Sequence, residues 1–132
     1  MPRGTQLSVC LENKPGQLAK MGAALGRAKV NIRAISVVDS ADCGIVRLVT
    51  SANAKARQVL AKAGNTVVQQ PVVLVKAPDE PGVLAKIAAK LAAAKVNVNF
   101  VYGSTCGCCD SECCDSLLVI GVDDVAKAAK LV

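Results

Sequence analysis

The chain has 132 residues, 52% hydrophobic and 20% charged, which is typical of a folded globular protein and excludes a disordered composition. It contains one Phe, one Tyr and no Trp, so a core of Ala, Val and Leu is expected. The net charge of +6 is uneven, with ten Lys/Arg against three acidic residues in 1–71 and six against seven in 72–132. Because base stacking on single strands needs aromatic side chains, we interpret the basic half as solvated surface and expect no nucleic-acid partner.

The chain shows no segment for export or membrane insertion. It lacks an apolar run of about 18 residues, and its first residues, MPRGTQ, lack the apolar centre of a signal peptide. We therefore expect a cytoplasmic protein with no membrane partner. Seven Cys in such a chain indicate reduced thiols or a metal site, not a disulfide framework.

The sequence repeats itself with an offset of 66 residues. Residues 13–31, NKPGQLAKMGAALGRAKVN, then lie over residues 79–97, DEPGVLAKIAAKLAAAKVN, and 11 of these 19 positions are identical. Internal similarity of this kind marks repeated structural units. We predict two tandem modules, residues 1–71 and 72–132.

Both copies predict the same elements in the same order. An alternating apolar strand, near residues 7–11 and again near 72–76, precedes a Pro-Gly turn. The prolines are expected in the first turn of the following helix, with Asn13 and Asp79 as caps. The apolar residues of the two helices recur at helical spacing and predict one buried face each, formed by Leu18, Met21, Leu25 and Ala28 and by Leu84, Ile87, Leu91 and Ala94.

Two further strands and a helix complete each copy. The strands are predicted at 32–38 and 45–50 and at 98–102 and 117–122, and Ala/Lys-rich helices near 52–63 and 123–131. Val67-Val68 adds a last strand to the first copy only. The fold class is therefore α+β: two ferredoxin-like βαββαβ modules, antiparallel sheets with helices on one face, the second lacking its last strand. We expect strand 72–76 to be an exposed edge that a partner strand completes on dimerisation, and the alternative is a truncated or naturally abbreviated chain. Modules of this size bury little surface alone, which also favours a dimer.

The segments LENKPGQLAK with AKVNI, and KAPDEPGVLAK with AKVNV, resemble the ACT domain family over nearly the whole chain. The resemblance implies βαββαβ modules that bind an amino acid or a similar small ligand near module interfaces and so regulate an enzyme or transporter. It also implies that the acidic or amide residue before Pro-Gly, and the Asn after the helix, belong to the site.

The chemistry of the Pro-Gly turn supports a site there. Gly16 and Gly82 have no Cβ, so a ligand can approach the backbone closely. The free N–H groups of the first helical turn attract a carboxylate, and Asn13, Asp79 and Glu80 are placed to meet an ammonium group. The alternative is that Pro-Gly only shapes the turn and that Asn31 and Asn97 only end the helices.

The candidate ligand-binding residues therefore lie in the turns and at the start of the second strands. They are Asn13, Lys14, Pro15, Gly16, Gln17, Leu18, Asn31 and Ile32 in the first module, and Asp79, Glu80, Pro81, Gly82, Val83, Leu84, Asn97 and Val98 in the second. Because Lys14 is replaced by Glu80, the two turns need not bind the same compound.

A six-residue insertion distinguishes the second module, since Gly44 aligns with Ser116 at an offset of 72. The hairpin tip that it lengthens holds five thiols within nine residues: Cys106, Cys108, Cys109, Cys113 and Cys114. Thiolates bind soft metals, so we predict a Zn or Cu(I) site, although the spacing differs from paired CxxC motifs. A redox-active loop and an incidental cluster are the alternatives. The topology places this loop at the same end of the sheet as Asp79–Gly82.

The remaining residues argue against catalysis. The chain has no His and no nucleophile or phosphate-loop motif, and Cys10 and Cys43 are interpreted as scattered buried or edge residues. No cofactor is expected beyond the metal named above. We predict an amino-acid-binding regulatory protein, homodimeric, with a regulated enzyme as partner. The alternative is a metal- or redox-sensing protein that uses the cysteine loop on the same scaffold.

Overall fold

A computed structural model describes residues 3–39, 43–105 and 115–132. The chain divides into two compact units. The first unit is Thr5–Gln70, and the second unit is Met1–Gly4 together with Pro71–Val132. The sequence had predicted a boundary after residue 71 with the N-terminal residues in the first module.

The elements follow the predicted order and differ mainly at their ends. They are β1 (Arg3–Glu12), α1 (Gln17–Arg27), β2 (Ile32–Asp39), β3 (Cys43–Thr50), α2 (Asn53–Lys62), β4 (Val67–Pro78), α3 (Val83–Ala93), β5 (Val98–Thr105), β6 (Asp115–Val122) and α4 (Val125–Leu131). The strands at 67–68 and 72–76, predicted to be separate, form the single strand β4, and Pro71 lies inside it because its restricted φ is compatible with extended backbone.

Each unit has the strand order of a βαββαβ module. In the first unit the order is β2-β3-β1-β4, and in the second it is β1-β4-β6-β5. Neighbouring strands run antiparallel, with Leu7 opposite Leu48 in the first unit and Val73 opposite Ile120 in the second. The predicted α+β class with tandem ferredoxin-like modules is confirmed.

The second unit does not have the exposed edge that the sequence predicted. As expected, no strand follows α4 in its own segment, but the beginning of β1 occupies that place in the strand order. Leu74 of β4 lies directly against Gly4: a Cβ added there would be 2.3 Å from a Leu74 methyl. With the repeat offset of 66, residues 1–4 correspond to residues 67–70. Arg3 and Gly4, at the start of β1, thus take the position of the last strand in the second unit.

Each unit has its own core between the sheet and its two helices. In the first, Leu7 and Val9 of β1 pack with Met21 and Leu25 of α1 and Leu60 of α2. The second core contains the corresponding side chains, with Val73, Ile87, Leu91, Ile120 and Ala128 almost fully buried. In both units the alternation of strand residues and the helical spacing place the apolar side chains on facing surfaces.

One predicted core position is wrong in both units. Leu18 and Leu84, the first apolar residues of α1 and α3, are 48% and 52% exposed. They lie one turn before the buried Met21 and Ile87, in the first turn of each helix. Over the described ranges, no helix is long and apolar enough to cross a membrane.

Candidate functional site

The Pro-Gly turn joins the first strand to the first helix in each unit. Gly16 has φ 88° and ψ −11°, and the Gln17 N–H donates to the Lys14 carbonyl at 3.4 Å. Proline followed by a residue of positive φ is the pattern of a type II turn, whose third position favours glycine. Gly82 has φ 88° and ψ −4°, so the second Pro-Gly sequence adopts the same conformation.

The helices begin later than the sequence predicted. Gly16 and Gly82 are their N-caps, so the prolines precede the helices and do not lie in their first turns. The expected caps are wrong, because neither helix has a side-chain cap. The Asn13 amide instead donates to the Asp39 carboxylate at 3.4 Å, across the gap between the turn and the end of β2.

A cavity of about 210 Å³ opens beside the first turn. Its walls are Leu11, Glu12, Asn13, Lys14, Gln17, Leu18, Val37, Gly44 and Val46. Leu11 and Val46 are buried and form an apolar floor, while Leu18 and Val37 are half-exposed and form the sides. The cavity therefore joins an apolar interior to a polar rim at the turn.

The second unit has a cavity of about 180 Å³ in the corresponding place. Its walls are Pro78, Asp79, Glu80, Val83, Leu84, Gly103, Ser104, Ser116 and Leu118. Under the repeat offset of 66, or 72 beyond the insertion, eight of these nine positions correspond to lining positions of the first cavity. Only Ser104 has no counterpart there. The fold thus forms the same cavity twice.

The rims of the two cavities differ in charge. In the first, Lys14 Nζ lies 2.6 Å from Glu12 Oε2, and this hydrogen-bonded ion pair lowers the pKa of Glu12 and raises that of Lys14. The corresponding positions of the second unit hold Pro78 and Glu80, beside Asp79. The first rim is therefore internally neutralised, and the second has two carboxylates with no lysine in its lining.

The helix N-termini supply donors beside both cavities. The first helical hydrogen bonds run from Lys20 N–H to the Gly16 carbonyl and from Lys86 N–H to the Gly82 carbonyl. Apart from the Gln17 N–H, which donates to the Lys14 carbonyl, the N–H groups at the start of both helices have no helical carbonyl four residues back. Neither first turn contains an acidic residue. These N–H groups and the helix dipole favour an anionic group next to the turn.

The two asparagines lie at the opposite end of each sheet. Asn31 precedes Ile32, which pairs with Thr50, whereas the turn follows Glu12, which pairs with Cys43. Seven residues of β3 separate those positions, about 23 Å of extended strand. The Asn31 N–H donates to Ser51 Oγ at 3.0 Å, and the Asn97 N–H donates to Asp123 Oδ1 at 3.0 Å. Within a unit, the structure does not bring the asparagines to the cavity.

The other predicted residues divide into three groups. Asn13, Lys14, Gln17 and Leu18, and Asp79, Glu80, Val83 and Leu84, line the two cavities. Pro15, Gly16, Pro81 and Gly82 shape the turns, as the backbone angles show. Ile32 packs against the first core, and Val98 lines an apolar groove of about 190 Å³ between α3 and β5.

Sequence reasoning missed the side of each cavity that the β-hairpin provides. Val37 and Gly44 belong to β2 and β3, and Gly103 and Ser116 to β5 and β6. The signal available was the parallel direction of the first two strands, which brings the hairpin to the turn.

The five cysteines of the insertion, Cys106, Cys108, Cys109, Cys113 and Cys114, lie outside the described residues. The strands that carry the insertion end beside the second cavity, because Pro78 pairs with Asp115 and Thr105 pairs with Ser116. Ser104 and Ser116 line the cavity, and each is two positions from the nearest of the five cysteines. The part of the chain that the structure describes contains no group of three or more potential metal ligands.

A family model described as an ACT domain pair matches residues 4–132. The chain belongs to the ACT domain family. The match covers both units of this ACT domain pair, including Gly4 at the displaced strand. No curated protein matches the sequence.

Solved structures resemble this ACT domain pair along nearly its full length. Protein BT0572 from Bacteroides thetaiotaomicron superimposes with a TM-score of 0.86 at 28% identity, covering 98% of this chain and 86% of that one. The ligand-free regulatory subunit of aspartate kinase from Thermus thermophilus gives a TM-score of 0.66 at 14% identity, covering 98% and 89%. The corresponding subunit from Thermus flavus gives 0.59 at 16% identity, covering 99% and 94%. The two aspartate kinase likenesses establish the shared fold.

Proposed function

We propose that this ACT domain pair is a regulatory protein that binds a small amino-acid ligand in the cavities beside its two Pro-Gly turns. The observation that carries the proposal is the repetition of the cavity. Eight corresponding positions line both cavities, although the two modules differ in sequence at most of them. Packing alone does not require a half-open space in the same place twice.

The size of the cavities supports a ligand of amino-acid dimensions. Pockets for drug-sized molecules span roughly 300–1,000 Å³. The cavities here have volumes of about 210 and 180 Å³. A single amino acid with a small or medium side chain is therefore a better match than a nucleotide or a peptide.

The polarity of the cavities supports a zwitterion. The N–H groups at the start of α1 and α3 favour the ligand's carboxylate. In the second unit, Asp79 and Glu80 are placed for its ammonium group, and Val83, Leu84 and Leu118 offer apolar surface to a side chain. In the first, the Glu12 carboxylate is already paired with Lys14, and the Asn13 and Gln17 amides take that role.

These rims favour different selectivity in the two modules. The second cavity has two carboxylates and two serine hydroxyls, which suit a ligand with positive charge or donor groups in its side chain. The first has Val37 and Gly44 where the second has Gly103 and Ser116, and it suits an uncharged side chain. We infer that the modules bind unequally.

The role proposed is control of another protein, not catalysis. Aspartate kinase regulatory subunits share the fold of this chain, which supports an enzyme as the regulated partner. Among the described residues, the cavities contain carboxylates, amides and hydroxyls but no Cys or His. The proposed partners are thus an amino acid and a regulated enzyme.

We also propose that the protein is a homodimer. In the strand orders of the two units, β2 and β5 each have a neighbour on one side only, and such edges are available for pairing. Ile35 and Val37 on β2, and Val101 on β5, are 40–52% exposed on the helix side of the sheet. The groove between α3 and β5 is lined entirely by apolar residues. Light scattering should give twice the chain mass, and a monomer at micromolar concentration would contradict this part.

The test of ligand binding is a thermal-shift screen of the twenty amino acids, followed by calorimetric titration. A ligand that binds only the folded state raises Tm by mass action, about 2.7 kcal/mol of stabilisation at 100 times Kd. Gly44→Val should abolish binding in the first cavity by filling it, because the position faces the Val37 side chain. Gly103→Val should do the same in the second, and each variant is the matched control for the other.

Asp79→Asn separates electrostatics from space. It keeps the shape of the second cavity and removes one carboxylate, so affinity for a basic amino acid should fall roughly tenfold or more, the effect of one charged hydrogen bond. The first cavity should be unaffected. The proposal is wrong if no amino acid shifts Tm, or if a shift persists when both Gly44 and Gly103 are replaced by Val.

A further inference from the structure

Two cysteines that are 33 positions apart in the sequence lie together on the first unit. Cys10 is on β1 opposite Ile45, and Cys43 is on β3 opposite Glu12. Cys10 and Cys43 therefore lie on the same face of the sheet as diagonal neighbours on paired strands. The two side chains are hydrogen-bonded to each other, and neither is in a disulfide. Cys10 is exposed and Cys43 is half-buried, so the pair is accessible from solvent.

We propose that Cys10 and Cys43 form a two-thiolate binding site for Cu(I), a soft monovalent metal ion. Thiolates select Cu(I) over hard cations, and Cu(I) accepts two sulfur ligands without further donors. Over the described residues no third Cys, His, Asp or Glu joins them in a cluster. Zn²⁺, which takes four ligands in structural sites, is not suited to this pair.

The geometry favours a bridging metal over a disulfide. The Cα atoms of diagonal neighbours on adjacent antiparallel strands are roughly 7–8 Å apart. A disulfide usually spans about 4.4–6.8 Å between Cα atoms and needs backbone movement beyond about 7 Å. An S–Cu–S bridge is longer than a disulfide, because two metal–sulfur bonds replace one S–S bond. The pair thus accommodates S–Cu–S with less distortion of β1 and β3 than S–S.

Binding displaces the thiol protons. Two thiols and one Cu(I) give a bis-thiolate complex of charge −1 and release two protons.

The pair is specific to the first unit. The positions that correspond to Cys10 and Cys43 are Lys76 and Asp115, at the same diagonal of the β4–β6 pairing. The fold therefore does not require thiols at these two positions. The pair also lies directly behind the first cavity, because the next residues along each strand, Leu11 and Gly44, are part of the cavity lining.

The experiment must separate this pair from the five cysteines of the insertion. In a full-length background with Cys106, Cys108, Cys109, Cys113 and Cys114 replaced by Ser, anaerobic titration with Cu(I) against a chromogenic chelator should show one bound ion per chain. C10S and C43S should each abolish it. X-ray absorption should show sulfur ligands only, two per copper. In the chain with its insertion intact, C10S/C43S should lower the Cu(I) capacity by one ion.

The matched control keeps the number of thiols and moves one. Ser8 lies on the same strand and face as Cys10 but opposite Arg47, one step further from Cys43. S8C/C10S in the same background should unfold like the background and should not bind Cu(I) stoichiometrically. Equal binding by S8C/C10S would overturn the proposal, and so would a background that fails to compete with the chelator or that forms the Cys10–Cys43 disulfide instead.

Discussion

The two units share one fold and one cavity, but they differ on the face of the sheet opposite the helices. In the second unit, Phe100 lies against Gly121, whose hypothetical Cβ would be 2.3 Å from the ring, and Phe100 stacks with Tyr102 at 6.2 Å. The first unit has the Cys10–Cys43 pair on that face. The helix side therefore follows the repeat, because it forms the core and the turn. The other face and the cavity rims are where the two copies have diverged.

The largest expected effect concerns the strand that the second unit receives from the N-terminus. A chain that starts at Thr5 should lose about 2 kcal/mol or more of stability, the order of exposing the Leu74 side chain that Gly4 now covers. Hydrogen exchange should accelerate selectively in Pro71–Val132, and self-association should rise because β4 becomes an edge. A chain that starts at Arg3 is the control. If hydrogen exchange in Pro71–Val132 were unchanged, or increased equally in both units, this strand would be dispensable.

The next effect tests the aromatic face of the second unit. Gly121→Ala places a Cβ against the Phe100 ring and should lower the free energy of unfolding by about 1–3 kcal/mol through overpacking. Gly44→Ala, where the nearest atom is 3.6 Å away, should change it by only about 0.5 kcal/mol or less. Chemical denaturation measures both. Phe100→Leu in the Gly121→Ala background should recover part of the loss, and a purely additive double variant would argue against a steric cause.

The smallest effect should be equal in the two units. Gly16→Ala and Gly82→Ala each force a side chain into a left-handed backbone conformation at φ 88°, which costs roughly 1–2 kcal/mol. No other atom lies within 4 Å of either added Cβ, so the effect is conformational. Gly22→Ala, inside α1 and also in open space, should stabilise by about 0.5–1 kcal/mol. Denaturation midpoints that differ strongly between Gly16→Ala and Gly82→Ala would mean that the two turns are not equivalent.

Local patterns predicted most of the secondary structure and the turn side of each cavity. The Pro-Gly repeat marked both turns, and its neighbours Asn13 and Asp79 do line the cavities. Leu18 was assigned both to the core and to the site, and its exposure excludes the first assignment. Helical spacing identifies the face of a residue, but not whether the sheet extends far enough to cover it.

Errors in the sequence prediction arose where contacts join distant segments. The edge expected at residues 72–76 is covered by residues 68 or more positions earlier in the chain, which no local pattern reports. Asn31 was expected to hydrogen-bond a ligand held against a neighbouring module, and that stays a prediction. Within its own unit, the length of β3 places Asn31 at the other end of the sheet from the turn.

The sequence by itself determined the two-module organisation, the βαββαβ order and the chemistry of the turns, because the repeat, the apolar periodicity and Pro-Gly act over neighbouring residues. Only the tertiary structure decided which strand completes the second module, which hairpin residues close each cavity, and that Cys10 and Cys43 meet. Each of these depends on strand order and register, which are determined by long-range pairing and packing.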